Sequence, residues 1–275
     1  MHSRDLSASF SHRLESRHFI FYYEETSTDV GTMRDVLEAF WDAVDRDFFP
    51  AQLSFRVNIF VLRDELSFQQ FLYKEFNMHR TAGLFGTYIP RIRGLVTYEH
   101  SGYGTLTHEL AHALLQNNFP HLPAWADEGV SSFFEKFYGY RDGSRMVFRF
   151  GFENPWRLKE LGARLLYLDI RDILRFPESH DTSEKRMAAV FLYRHGNLRR
   201  YLELVKSGDK RGFNSLLEAA FDKPMADIQS LWAAYLKDVD QHRAELMRLP
   251  PSQIFPSRAL FEGLIASFKS DTGGG

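Results

Sequence analysis

The sequence predicts an α+β fold, a small mixed sheet backed by helices and followed by a mainly helical lobe. Two observations lead to it. Short β-branched and aromatic runs are confined to the first part of the chain, where they alternate with segments of helical period. Beyond Pro123 nearly every apolar pattern recurs at helical spacing. The 275 residues, 44% hydrophobic and 25% charged, suffice for a sizeable core. The chain reads as one domain over residues 17–250, with an N-terminal lobe over about 17–120 and a helical lobe over about 121–250. Residues 1–16 read as a frayed start and 251–275 as a tail, with 271–275 flexible.

The elements follow in order. Phe19-Ile20-Phe21-Tyr22-Tyr23 predicts a strand. Val30, Met33, Leu37, Phe40, Trp41 and Val44 fall on one helical face, and Pro50 ends that segment. Phe55, Val57, Ile59 and Val61 alternate as a second strand, and Phe68, Phe71, Leu72 and Phe76 mark a helix from about Asp64 to Phe76. Between Gly83 and Glu99, glycines and Pro90 punctuate β-formers, predicting a hairpin of Leu84–Ile89 with Leu95–Tyr98. A helix from about Thr105 to Asn117 comes next. Another starts at Pro123 and runs to about Tyr138 with Gly139 as its cap. Residues 146–152 alternate weakly as a short ribbon. Helices are expected over about 157–168, 183–195, 198–206, 211–221 and 225–247.

Composition narrows the chemistry. A net charge of −2 gives no field for nucleic acid or an anionic membrane. No apolar run approaches the roughly 18 residues of a membrane span. The first residues lack the apolar stretch of a signal peptide, so a soluble protein is expected and export stays open. With no cysteine, disulfides and thiolate metal sites are excluded, and any metal must be held by His, Asp or Glu.

Thr107-His108-Glu109-Leu110-Ala111-His112 supplies such a set. Two histidines four apart on a helix lie one turn apart on one face and can offer two imidazole nitrogens to a single ion. Glu109 projects beside them, where it can hold water. Leu106, Leu110, Ala113 and Leu114 make the opposite face apolar, so the helix should be buried. Two imidazoles and a carboxylate buried without partners would cost several kcal/mol. One zinc ion removes that cost. It needs a third protein ligand, and Glu128 in Trp125-Ala126-Asp127-Glu128-Gly129 is the candidate. The chain before it can end one helix, turn at Pro120–Pro123 and enter a second, and Gly129 would let the two helices approach closely.

His108-Glu109-x-x-His112 followed by Trp125-x-x-Glu128-Gly129 resembles the gluzincin zinc metallopeptidases, the clan of thermolysin and aminopeptidase N. It is most similar to the bacterial peptidase-MA-like domains. The resemblance implies a zincin-like catalytic domain with the active-site helix between its lobes. It implies zinc on His108, His112 and Glu128, and Glu109 as general base in hydrolysis of peptide or protein substrates. The spacing from His112 to Glu128 is shorter than in thermolysin, and Ser132 stands where thermolysin-like enzymes carry an acid that orients a ligand. Asp127 and Ser132 are the candidates for that orienting role. For the oxyanion donor Tyr193 is the first candidate, with His180, Tyr98 and Tyr103 beside it, and a packed core tyrosine is the other reading of each tyrosine.

The strand Leu95–Tyr98 is expected either as an open edge along which a peptide lies or as an ordinary hairpin strand. Arg141, Arg145, Arg149, Arg157 and Arg164 are expected to form a solvated basic face, and a site for a substrate carboxylate is the other reading. His79, His100, His121, His195 and His242 read as surface or capping residues. Two other functions fit the motif: a peptidase-like module that binds peptide or protein with little turnover, and a zinc hydrolase for non-peptide amides or esters.

Overall fold

The computed structural model describes residues 6–25, 27–209 and 211–270, so the flexible stretch expected at 271–275 lies outside the described residues. Strand β1 (His12–Glu15) runs antiparallel to β2 (Phe19–Tyr23), and helix α1 (Val30–Asp47) crosses to β3 (Val57–Leu62), parallel to β2. Helix α2 (Glu65–Phe76) leads to β4 (Gly86–Ile89), which turns back antiparallel onto β5 (Gly94–Tyr98). Asp29 and Asp64 start the two helices by accepting from Thr32 N and Ser67 N. The strand order is β1-β2-β3-β5-β4. The mixed sheet expected from the early strands is therefore present.

Period-two alternation explains how the sheet is covered. Phe19, Phe21, Val57, Ile59, Val61 and Leu95 face the main core, built with α1 and helix α3 (Tyr103–Asn118). Phe60, Leu62, Ile89 and Val96 face the other way, onto Phe68 and Leu72 of α2. Helix α4 (Ala124–Phe134) packs beside α3. The remaining lobe is helical: α5 (Pro155–Leu161), α6 (Ile170–Arg175), α7 (Thr182–Arg194), α8 (Leu198–Lys206), α9 (Phe213–Phe221), α10 (Met225–Gln241) and α11 (Arg243–Leu246). Among the described residues no helix is long and apolar enough to cross a membrane.

Several expectations need correction. The start is not frayed over 6–16. Leu6–Ser9 form a 3-10 turn, and β1 adds to the sheet through backbone pairing that its mostly polar side chains do not reveal. The helix predicted to reach Tyr138 stops at Phe134. Tyr138 and Gly139 open strand β6 (Tyr138–Asp142), which pairs antiparallel with β7 (Arg145–Arg149) and parallel with β8 (Gln253–Phe255). Residues 251–270 are not a loose tail. They supply β8 and helix α12 (Arg258–Ser270), and Leu249 and Phe261 bury Tyr138 and Tyr140. The partner of β6 lies far away in sequence, so local pattern could not assign it. The 157–168 segment divides into α5 and a 3-10 stretch, the 225–247 segment breaks at His242, and α6 is too short to show a period.

Two close approaches fix α4. A Cβ at Gly129 would lie 2.6 Å from the Lys185 carbonyl oxygen of α7, so glycine alone permits that contact. Arg186, wholly buried on α7, donates to the carbonyl of Ser132 in the last turn of α4 and to that of Phe152. Gly129→Ala is expected to cost about 1–3 kcal/mol by overpacking, read as a lower denaturation midpoint; an unchanged midpoint would contradict this packing.

Lys136, 2% exposed, donates to the Pro250 carbonyl and pins the C-terminal segment. Burial and the nearby Arg186 push its ammonium from 10.5 down to about 7, against the opposing charge of Glu135. Between about 7 and 10.5 the unfolded chain holds a proton that the folded one lacks, so stability rises with pH across that window. In urea titrations over pH 6–10, Lys136→Met should remove most of this rise and be the more stable protein at the acid end.

Candidate metal centre

The ends of α3 and α4 are tied before any ligand is considered. The Thr107 hydroxyl donates to the Phe134 carbonyl at 2.9 Å, and Gly104 packs against the backbone of Glu135 with no room for a side chain. This lays α4 along the polar face of α3. One turn separates His108 from His112, and their Nε2 atoms lie 3.2 Å apart. Glu128, in the second turn of α4, straddles them: Oε1 is 3.7 Å from His108 Nε2 and Oε2 is 3.6 Å from His112 Nε2. The three residues together can hold a metal ion. Ligands about 2.0–2.1 Å from a tetrahedral ion stand about 3.4 Å from one another, which matches these separations.

The surroundings prepare the ligands. Asp127 Oδ1 lies 3.0 Å from His112 Nδ1 and Oδ2 accepts from Gln116 at 3.1 Å, so Asp127 fills the orienting role. Committing the Nδ1 proton of His112 to Asp127 leaves its Nε2 lone pair facing Glu128 and His108. Burial opposes charge on His112, but the hydrogen bond and charge of Asp127, with Glu109 and Glu128, outweigh it and hold the imidazole above its ordinary range. Burial would likewise raise the Glu128 carboxyl. The charges of His108 and His112, the Thr182 hydroxyl at 2.8 Å and Arg157 outweigh it and keep Glu128 below the usual carboxylate range. Two imidazoles and an ionised carboxylate form a donor set suited to zinc.

Glu109 points toward the sheet rather than at the other three. Its Oε2 accepts from the backbone N–H of Tyr88 at 2.6 Å. The strand presenting that N–H is β4, the edge of the sheet. Leu95–Tyr98, expected as a possible edge, is β5 and is paired on both sides, by β3 and β4. The open edge beside the centre is therefore one strand further out than the order of the sequence implied.

Ser132 does not orient a ligand histidine. Its hydroxyl donates to Glu135 Oε2 at 3.0 Å. Tyr193 is not in the site: eleven residues beyond Thr182 on α7, it stands roughly 16 Å along the axis, stacked on Phe48 and tilted against Phe133. Tyr98 packs on Phe68 at the α2 face. Tyr103 opens α3 more than a turn before His108 and packs partly against the main core. His180 precedes Thr182 by two residues, with Nδ1 2.7 Å from Glu184 Oε2, so of the four candidates it is the nearest in sequence to a residue that holds Glu128.

Arg141, Arg145 and Arg149 are exposed, as a solvated face requires. Arg164 pairs with Asp181 and Glu184, each at 2.9 Å. Arg157 departs from that face: its side chain is 12% exposed and forks onto Glu135. The places of Glu135, Arg157, Thr182 and the Tyr88 N–H beside the ligands were not anticipated in the sequence, which put Arg157 in a solvated basic stretch or at a substrate carboxylate. Glu135 lies seven residues after Glu128, a spacing that keeps one helical face, so periodicity could have found it. The other three come from distant segments and leave no local signal. Compared with family models and with curated proteins, the chain matches none.

The purified protein should carry about one equivalent of a divalent metal, as three convergent ligands with a fourth position left open predict. Elemental analysis should show it lost in His108→Ala and in Glu128→Ala, and a wild-type protein that takes up no metal would contradict the assignment.

Proposed function

We propose that the protein is a zinc-dependent metallopeptidase of gluzincin type, hydrolysing peptide bonds with Glu109 as general base. The observation that carries this reading is the approach of His108 Nε2, His112 Nε2 and the Glu128 carboxylate to within ligand–ligand distance, with Glu109 on the same helix beside them. A zinc ion held there supplies Lewis acidity toward a carbonyl and makes water a better nucleophile at neutral pH. The chain's own residues do the rest. Asp127 and Thr182 hold His112 and Glu128 in place, which limits how far these two ligands must move on binding. Tyr88 N–H fixes one oxygen of Glu109, leaving the second to take a proton from water and return it to the departing amine. The open edge of β4 lies against Glu109, where an extended peptide can pair with backbone groups while its scissile bond faces the centre.

Incubation with a peptide library, with and without chelator and read by mass spectrometry, should show cleavage that the chelator stops. Glu109→Gln should keep its zinc and lose about 10²–10⁴-fold in rate. Cleavage persisting in that variant would remove Glu109 from the mechanism. Peptide binding without cleavage by the zinc-loaded wild type would favour the binding module instead.

A further inference from the structure

The back of His108 holds a contact that peptide hydrolysis as described does not use. Its Nδ1 is buried and has no hydrogen-bond partner, and Glu135 Oε2 stands 3.9 Å away. Glu135 immediately follows α4, so one helix sends Glu128 to the Nε2 side of the ring and its C-cap residue to the Nδ1 side. Glu135 is itself held. Arg157 Nε and one terminal nitrogen each lie 3.1 Å from its Oε2, and Ser132 donates to the same oxygen at 3.0 Å. Arg157 also reaches Glu160 at 3.3 Å; Glu160 accepts from Ser183, next to the Thr182 that holds Glu128.

A neutral imidazole has one N–H. A metal on Nε2 places that proton on Nδ1, where burial demands an acceptor. We propose that Glu135, fixed by Arg157, accepts the His108 Nδ1–H when a metal is bound, and so positions His108 as Asp127 positions His112. The inference rests on the metal-site reading above. The present separation exceeds a normal N–H···O length by about 1 Å, which a small turn of the ring or the carboxylate closes. Oε2 already accepts from Arg157 and Ser132, so the free acceptor capacity lies on Oε1, which takes only a 3.4 Å contact from Arg157 and which a turn of the carboxylate presents to the ring. Glu135 is a positioning residue: it touches neither the metal nor the substrate.

Zinc affinity by chelator competition tests this in the wild type, Glu135→Ala and Glu135→Gln. Glu135→Ala should bind zinc about 10–100-fold more weakly, and Glu135→Gln, whose amide oxygen can still accept, should recover part of the loss. In proton NMR of the zinc-loaded protein, the downfield His108 Nδ1–H resonance, told apart from that of His112 by the latter's shift in Asp127→Asn, should move upfield in both variants. The His112 resonance should stay in place. Wild-type affinity in Glu135→Ala, or an unmoved His108 resonance in Glu135→Gln should the alanine variant not fold, overturns the proposal. The titration needs no turnover: a protein that binds zinc but cuts no peptide fails as a peptidase without bearing on Glu135, whereas a wild type that takes no zinc overturns both readings.

Discussion

The close packing of α4 between α3 and α7 is the constraint on which the site depends. The helices approach at backbone distance because Gly104 and Gly129 offer no side chain where the backbone carbonyls of Glu135 and Lys185 come in. Thr107 and Arg186 donate to the Phe134 and Ser132 carbonyls at the C-terminal end of α4 and so tie that end to α3 and α7. Only this spacing lets a carboxylate from one helix reach two imidazoles on the next. A fraction of a helix diameter more, and Glu128 would be solvated instead.

The same packing sets the electrostatics. Asp127, Glu128 and Glu135 converge on two imidazoles with Glu109 alongside, and such a cluster would repel itself if left to its own charge. Each acid instead has a donor: Tyr88 N–H, Gln116, Thr182 and Arg157 respectively. Arg157 is the cation the cluster turns inward, and Trp156 covers it, with the guanidinium 4.1 Å from the ring centroid. The polar groups around the ligands are thus paired before any metal arrives. The exception is His108 Nδ1, and it faces an acid.

Much of the fold was legible because its signals are local. The β-forming runs of β2 and β3 and the apolar stripes of α1 and α10 act within a few residues of themselves. Where the reading failed, the cause was distant. Tyr138 and Gly139 look like the end of a helix, but β8 takes them into a sheet from more than a hundred residues away. β1 is a strand because β2 offers it a backbone edge, which its own side chains do not announce. Tyr193, placed by its count along the chain, lies on the right helix, three turns from Glu128's partner on it.

The sequence alone determined the candidate ligand set. His108 and His112 share a face by the pitch of the helix, and a glutamate beside a glycine at the next helix start was the only third ligand nearby that its pattern favoured. It also determined that no thiolate could take part. The tertiary structure decided everything that needed two segments at once: that Glu128 reaches both imidazoles, that Asp127 rather than Ser132 orients His112, that β4 rather than β5 is the open edge, and that Glu135 stands behind His108. The physical reason is range. Helical pitch and residue chemistry are fixed within a turn or two, whereas a hydrogen bond between helices depends on how the whole core closes around them.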